Sequence, residues 1–305
     1  MSRPHVVSPA ELSSLRDLEL LARTTVEGLR QGLHRSPFHG YSAEFSQYRH
    51  YRPGDDLKYV DWKAFGRTDR LYSRQFRETT NLGALFVIDN SRSMAFPSGE
   101  DTQGSRPASK FALAQAAAAV LATLVIDQGD AAGLLALSAA ASQATWYVPA
   151  RSGRQHLHVL LATLARVQAV GAEGIAAGLR RSAALHRRRG MVFVFSDFYE
   201  EEDAIAEVRR LARMGHDVII FHVIAREELS LPRGGAVEFE DLETGATVVT
   251  NTESVRTAYE TNVRAFLTRT QQSVEREGLD YVRLVTGDPL EPALRRYLVT
   301  RRGSK

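Results

Sequence analysis

The chain of 305 residues contains no cysteine. Disulfides, thiolate metal sites, iron–sulfur clusters and a cysteine nucleophile are therefore excluded. It also lacks a hydrophobic run long enough to cross a bilayer. The nearest stretch, Phe111–Ile126, is an uncharged, alanine-rich run between Lys110 and Asp127. It falls short of the roughly 20 residues a spanning helix needs, and a helix packed on a sheet explains it better. Residues 1–19 are too polar for a signal peptide. These absences together predict a cytoplasmic protein with no membrane insertion. The glycine-lysine phosphate loop, the GxSxG elbow and the HExxH helix are missing as well, which argues against the commonest hydrolase and nucleotide-handling chemistries.

What is present is ordinary for a soluble globular protein: 44% hydrophobic and 25% charged residues. The length suits one large α/β domain, or a domain of about 200 residues with a small companion. The net charge is +3, and residues 1–80 hold the excess, with 13 Lys/Arg against 10 Asp/Glu. Basic runs such as Arg187-Arg188-Arg189 lie on helical segments near acidic runs such as Glu200-Glu201-Glu202-Asp203, the pattern of solvated helix faces. The nearest approach to a nucleic-acid surface is Tyr48, Tyr51, Tyr59, Trp62 and Tyr72 among Arg49, Arg52, Lys58 and Lys63. Interleaved aspartates oppose that reading, and no nucleic acid is expected as a partner.

Periodicity gives an order of elements. An amphipathic helix spans about 12–32. Residues 36–78 form a loop-rich module with short strands, the last of them at 71–76. An apolar strand at 82–88 follows, then a helix at 110–127, a strand at 131–137 with a hairpin partner at 144–148, and a helix from Gly153 to about Val167. Helix 175–189, strand 191–195, helix 201–214, strand 217–224, a hairpin at 236–250, helix 252–277, strand 280–285 and helix 289–299 complete the chain. Strands alternating with helices predict an α/β fold with a doubly wound, mostly parallel sheet, carrying an N-terminal helix and the small module. The expected division is 1–80 for helix and module and 81–305 for the sheet domain.

Two apolar strands end in oxygen-bearing side chains. Leu82–Ile88 runs into Asp89, Ser91 and Ser93, and Met191–Phe195 runs into Ser196 and Asp197. Ligands in open α/β sheets gather beyond the carboxyl ends of strands, and oxygen-only donors suit magnesium or manganese. Glu173, in the tight loop before helix 175–189, is the third contributor to this candidate metal site. His222 lies within a strand and reads as a core histidine rather than a ligand or base.

The DxSxS pattern of Asp89, Ser91 and Ser93 resembles the metal-ion-dependent adhesion site of von Willebrand factor A domains. The resemblance implies that the serines bind the metal directly, that Asp197 acts through water, and that an open position takes an acidic side chain from a partner. In that family the middle ligand is a threonine, and here its place falls on Glu173. The run Gly40, Glu44-Phe45, Arg49, Tyr51, Pro53-Gly54-Asp55-Asp56, Asp61-Trp62 and Arg67 resembles the bacterial family known as domain of unknown function (DUF) 58. Its members carry a von Willebrand factor A-like domain directly afterwards and often accompany MoxR-type AAA+ ATPases. That implies a non-enzymatic adaptor linking such an ATPase to a client protein, with Arg49, Tyr51, Asp55, Asp56, Asp61, Trp62 and Arg67 as a docking surface. A polar network locking the module in place is the equal alternative for that cluster. A metal-dependent phosphoesterase or nucleotide-handling enzyme, or nucleic-acid binding through the basic N-terminal module, is the alternative function.

Overall fold

The structure, a computed structural model, describes residues 14–32, 43–52, 60–78, 83–97, 108–136, 146–171, 174–199, 201–232 and 234–303. Contacts divide the chain into two compact units, residues 38–82 and residues 1–37 with 83–305. The N-terminal helix thus counts with the sheet and not with the module, unlike the expected division at residue 80.

In the larger unit, helix α1 (Leu15–Gly32) buries Leu18, Leu21, Ala22, Val26 and Leu29, the stripe that helical spacing predicts. In the smaller unit, strand β1 (Ala43–His50) pairs antiparallel with β2 (Tyr72–Glu78). Between them lies an element that sequence reading did not anticipate, the short helix α2 (Trp62–Thr68). Asp61 caps it: its Oδ1 accepts a hydrogen bond from the Ala64 amide at 2.9 Å.

The rest of the larger unit follows the predicted order closely. Its strands are β3 (Gly83–Ile88), β4 (Ala131–Ala136), β5 (Trp146–Arg151), β6 (Met191–Ser196), β7 (Asp217–Ile224) and β10 (Asp280–Val285). They form one sheet in the order β10-β7-β6-β3-β4-β5, parallel except for β5, which returns antiparallel to β4. The helices are α3 (Lys110–Asp127), α4 (Arg154–Arg166), α5 (Ile175–Leu185), α6 (Glu201–Arg213), α7 (Thr252–Glu275) and α8 (Leu290–Gly303). A separate hairpin, β8 (Ala236–Glu240) with β9 (Thr247–Asn251), precedes α7.

Alternate residues of the central strands enter two apolar layers, as the period of two requires. Leu85, Val87, Val192, Val194, Val218 and Ile220 pack against Ile175 and Leu179 of α5, Val208 and Leu211 of α6, and Val274 of α7. On the other parity the rings stack: Phe86 on Phe193 at 4.8 Å and Phe195 on Phe221 at 4.7 Å between centroids, with Tyr297 of α8 edge-on to Phe221. Helix α3 is buried almost all round, since eleven of its residues from Ala114 to Ile126 have essentially no exposed surface or a few per cent. Its alanines allow the close approach to neighbours that such burial demands.

The central strand β3 sits between β4 and β6. The chain leaves β3 on one side to build β4 and β5, then returns to its other side to build β6, β7 and β10. Such a reversal opens a crevice at the strand ends. Asp89 follows β3 there, and Ser196 and Asp197 end β6.

Candidate functional site

Three loops meet at the carboxyl end of β3. The first is 89–93, which leaves the strand and enters a 3-10 turn at Arg92–Ala95. The second is the segment after α4, joined to the first where the Gly171 amide donates to Asn90 O at 2.7 Å. A Cβ on Gly171 would lie 2.9 Å from that same carbonyl, so the close approach needs glycine. The third is 196–199, joined to the first where Ser196 Oγ donates to Asp89 Oδ2 at 2.6 Å and the Asp89 amide donates to Phe195 O at 2.9 Å. Ser196 Oγ in turn accepts from the Phe198 amide at 3.0 Å. That bond helps to hold Phe198, fully buried, at a φ of 54°, a conformation such side chains rarely adopt.

Asp89 and Asp197 are both buried. Asp89 Oδ1 accepts from the Ser91 amide at 3.0 Å. Burial first, and the charge of Asp197 second, push its carboxyl up to about 6, against the hydrogen bonds from Ser196 and Ser91. A nearby cation would relieve that cost. Ser91 Oγ and Ser93 Oγ lie 3.1 Å apart. Neighbouring ligands of an octahedral magnesium ion, each at about 2.0–2.1 Å, are separated by about 3 Å. The same 3.1 Å is a hydrogen bond between the two hydroxyls, and no group of three or more His, Asp or Glu side chains is placed to hold a metal among the described residues. The Glu173 position lies outside the described residues.

Asp197 has a partner that sequence reading missed. Lys110, the first residue of α3, has no exposed surface, and its Nζ donates to Asp197 Oδ2 at 2.8 Å and to Glu228 Oε1 at 2.5 Å. Tyr199 Oη donates to the same Glu228 oxygen at 2.7 Å, and its ring lies 4.8 Å from the ammonium. Burial and the Glu228 charge hold the Tyr199 hydroxyl far above its ordinary range, so it stays protonated as a donor. Glu228 is fixed by its other oxygen, which accepts from the Ala225 amide at 2.8 Å. A signal for Lys110 did exist: a cation in the first turn of a helix opposes the helix dipole, so its place there calls for carboxylate partners.

A second unforeseen carboxylate comes from the tip of the β8–β9 hairpin. Glu243 Oε1 accepts from the Ser93 amide at 2.8 Å. His222 is a core residue, as its strand position predicts: Nδ1 lies 2.8 Å from Tyr281 Oη and Nε2 lies 2.9 Å from Asp197 O. Burial lowers its pKa to about 4, so it contributes neutral hydrogen bonding.

The residues expected to form a docking surface fall in the smaller unit. Asp61 is buried as the α2 cap, while Trp62 is 59% exposed with Phe65 edge-on at 6.4 Å. Arg67 Nε donates to Lys63 O at 3.2 Å. The Tyr51 amide donates to Leu71 O at 3.0 Å, and Arg49 pairs with Ser73 in the β1–β2 register. The positions of Asp55 and Asp56 lie outside the described residues.

Fold and site thus define an α/β protein with a predominantly parallel sheet and a buried acidic-hydroxyl cluster at its switch point. Residues 47–269 match the family described as protein of unknown function DUF58, and the chain belongs to that family. An uncharacterized protein of Mycobacterium tuberculosis is 32% identical over 248 residues, covering 80% of this chain and 75% of its own. Among solved structures, an aerotolerance-related membrane protein from Bacteroides fragilis is similar at 17% identity and a TM-score of 0.45, covering 73% of this chain and all of its own. BatB from Bacteroides thetaiotaomicron is similar at 16% identity and a TM-score of 0.43, covering 73% of this chain and 99% of its own.

The cytoplasmic location expected from the sequence does not stand. With its flanking Lys110 and Asp127, α3 reaches 18 residues and is long and apolar enough by length and composition to cross a membrane, although 83% of that stretch is buried inside the fold. The sequence reading stopped at the uncharged core of the helix and so judged it too short.

Proposed function

We propose that this protein is a non-catalytic interaction protein whose β3-end loop holds a magnesium or manganese ion and uses it to take an acidic group of a partner. The larger unit is, on this reading, a von Willebrand factor A-like domain. The observation that carries the proposal is the gathering of the Ser91 and Ser93 hydroxyls, 3.1 Å apart and hydrogen-bonded to each other, beside the buried Asp89, a separation that adjacent ligands of a small octahedral cation would share. Bound there, the ion would supply a positive centre for a partner carboxylate.

The residues around it have separable tasks. Ser91 and Ser93 present the ligand oxygens. Asp89 supplies negative charge and is oriented by Ser196. Asp197 contributes a second charge, held in position by Lys110. Glu173 stands, in sequence, where the resembling family has threonine. In the smaller unit, Trp62 and its neighbour Phe65 offer exposed aromatic surface of the kind that anchors protein interfaces. The resemblance of residues 40–94 to proteins that accompany MoxR-type AAA+ ATPases makes such an ATPase the first partner to test, with a client protein as the second.

The experiment is capture from extracts of the native organism with wild type, Asp89→Ala and Trp62→Ala, each with and without magnesium. A metal-dependent adaptor loses partners on Asp89→Ala or on chelation. Identical partner sets in every condition would refute the metal-dependent mechanism.

A further inference from the structure

The β8–β9 hairpin is an arm that touches the candidate site at its tip. Its strands are exposed or half-buried throughout, with Val248 and Val249 more than 60% exposed, so little apolar packing holds it against the body. Its tip, by contrast, is tightly built. The Asp241 amide donates to Ala246 O at 2.8 Å, and the Gly245 amide returns to Asp241 O at 2.7 Å with Gly245 at a φ of 73°. Asp241 Oδ1 accepts from the Glu243 amide at 2.9 Å, and Thr244 Oγ1 donates to Asp241 Oδ2 at 2.7 Å. The turn therefore presents Glu243 in a fixed attitude. Its Oε1 reaches the Ser93 amide, 150 residues away in sequence. The base of the arm is anchored where the Thr252 amide, at the start of α7, donates to Gly235 O at 3.1 Å.

We infer that Glu243 is an internal acidic ligand: it occupies the face of the 89–93 loop that an outside carboxylate would use, so a partner must displace the hairpin to bind. This inference rests on the proposed metal-dependent reading. A carboxylate accepting an amide hydrogen bond makes a strong contact in this class, and one tethered to the same chain acts at an effective concentration of the order of millimolar. An outside acidic group held by a single carboxylate faces that competition, whereas a partner that also grips the exposed hairpin can overcome it. The partner chemistry that fits is an Asp or Glu side chain presented on a turn, as Glu243 itself is.

The test uses the full chain as wild type, Glu243→Ala, and Ser91→Ala with Ser93→Ala, and manganese as the probe. Binding is followed by water-proton relaxation, then acetate is added as the outside carboxylate. Hydrogen exchange of peptides covering 91–95 and 241–246 is measured on the same samples. The expected result is that wild type and Glu243→Ala bind manganese, and that acetate perturbs the bound ion at a concentration about tenfold lower in Glu243→Ala. Exchange at 91–95 should also be about tenfold faster in that variant. Manganese binding with the same acetate response and the same exchange in both proteins would overturn the internal-ligand inference and leave the metal site standing. Absence of manganese binding in every protein would overturn both readings.

Discussion

Lys110 is a residue whose burial decides much of the site's energetics. Its ammonium is fully enclosed and bonded to Asp197 and Glu228, two carboxylates with little exposure of their own. Removing one member of a buried ion pair leaves the remainder uncompensated, which costs about 3–5 kcal/mol. Lys110→Ala is therefore expected to lower stability by about that amount in urea denaturation, whereas Arg23→Ala, which breaks an exposed i,i+4 pair with Glu27, should cost well under 1 kcal/mol. A Lys110→Ala protein as stable as wild type would show that the buried triad is not maintained in solution.

The histidines give a residue-scale prediction about pH. Burial lowers the pKa of His186 and of His216, and His216 Nδ1 is buried without a hydrogen-bond partner among the described residues. Each is thus harder to protonate folded than unfolded. Above the ordinary histidine range both states are neutral and nothing is lost; as pH falls below about 6.5 the unfolded chain takes up protons first, and stability declines. Denaturation between pH 7.5 and 5.5 should show a smaller decline in a His186→Gln/His216→Gln protein than in wild type. An unchanged slope would contradict the assignment.

At the scale of elements, the hydrophobic pattern carried far. The apolar runs at 82–88 and 191–195 announce buried parallel strands, and their abrupt ends in Asp89, Ser91, Ser93, Ser196 and Asp197 announce where side-chain oxygens collect. Long-range partners were not legible there. Lys110 is the flank of an alanine-rich helix in sequence, and only the packing of α3 against the sheet delivers it to Asp197. Glu243 looks like a polar turn residue, and only the direction of the hairpin brings it to Ser93. Helix α2 was hidden for a local reason: its segment Trp62–Thr68 is short, contains Gly66 and shows no apolar stripe, since none of its residues is buried. Its start depends on Asp61. Asp61→Ala should cost about 1 kcal/mol of local stability, seen as faster hydrogen exchange at the Ala64 and Phe65 amides. Exchange equal to wild type would mean that the cap does not hold the helix.

At the scale of the molecule, the chain joins a small β-hairpin-and-helix unit to a parallel-sheet unit. Each unit carries its own candidate contact surface: exposed Trp62 and Phe65 in the first, and the 89–93 loop with its hairpin arm in the second. On the proposed reading, the two surfaces would serve two different partners.

The central claim is that the 89–93 loop binds a divalent cation through its two serines. Titration of the purified full chain with manganese, followed by electron paramagnetic resonance of the free ion, measures this directly. The account predicts saturable binding of one ion to wild type and at least tenfold weaker binding to a Ser91→Ala/Ser93→Ala protein that unfolds at the same urea concentration. Saturable binding of equal strength in both, or none in wild type, would contradict it.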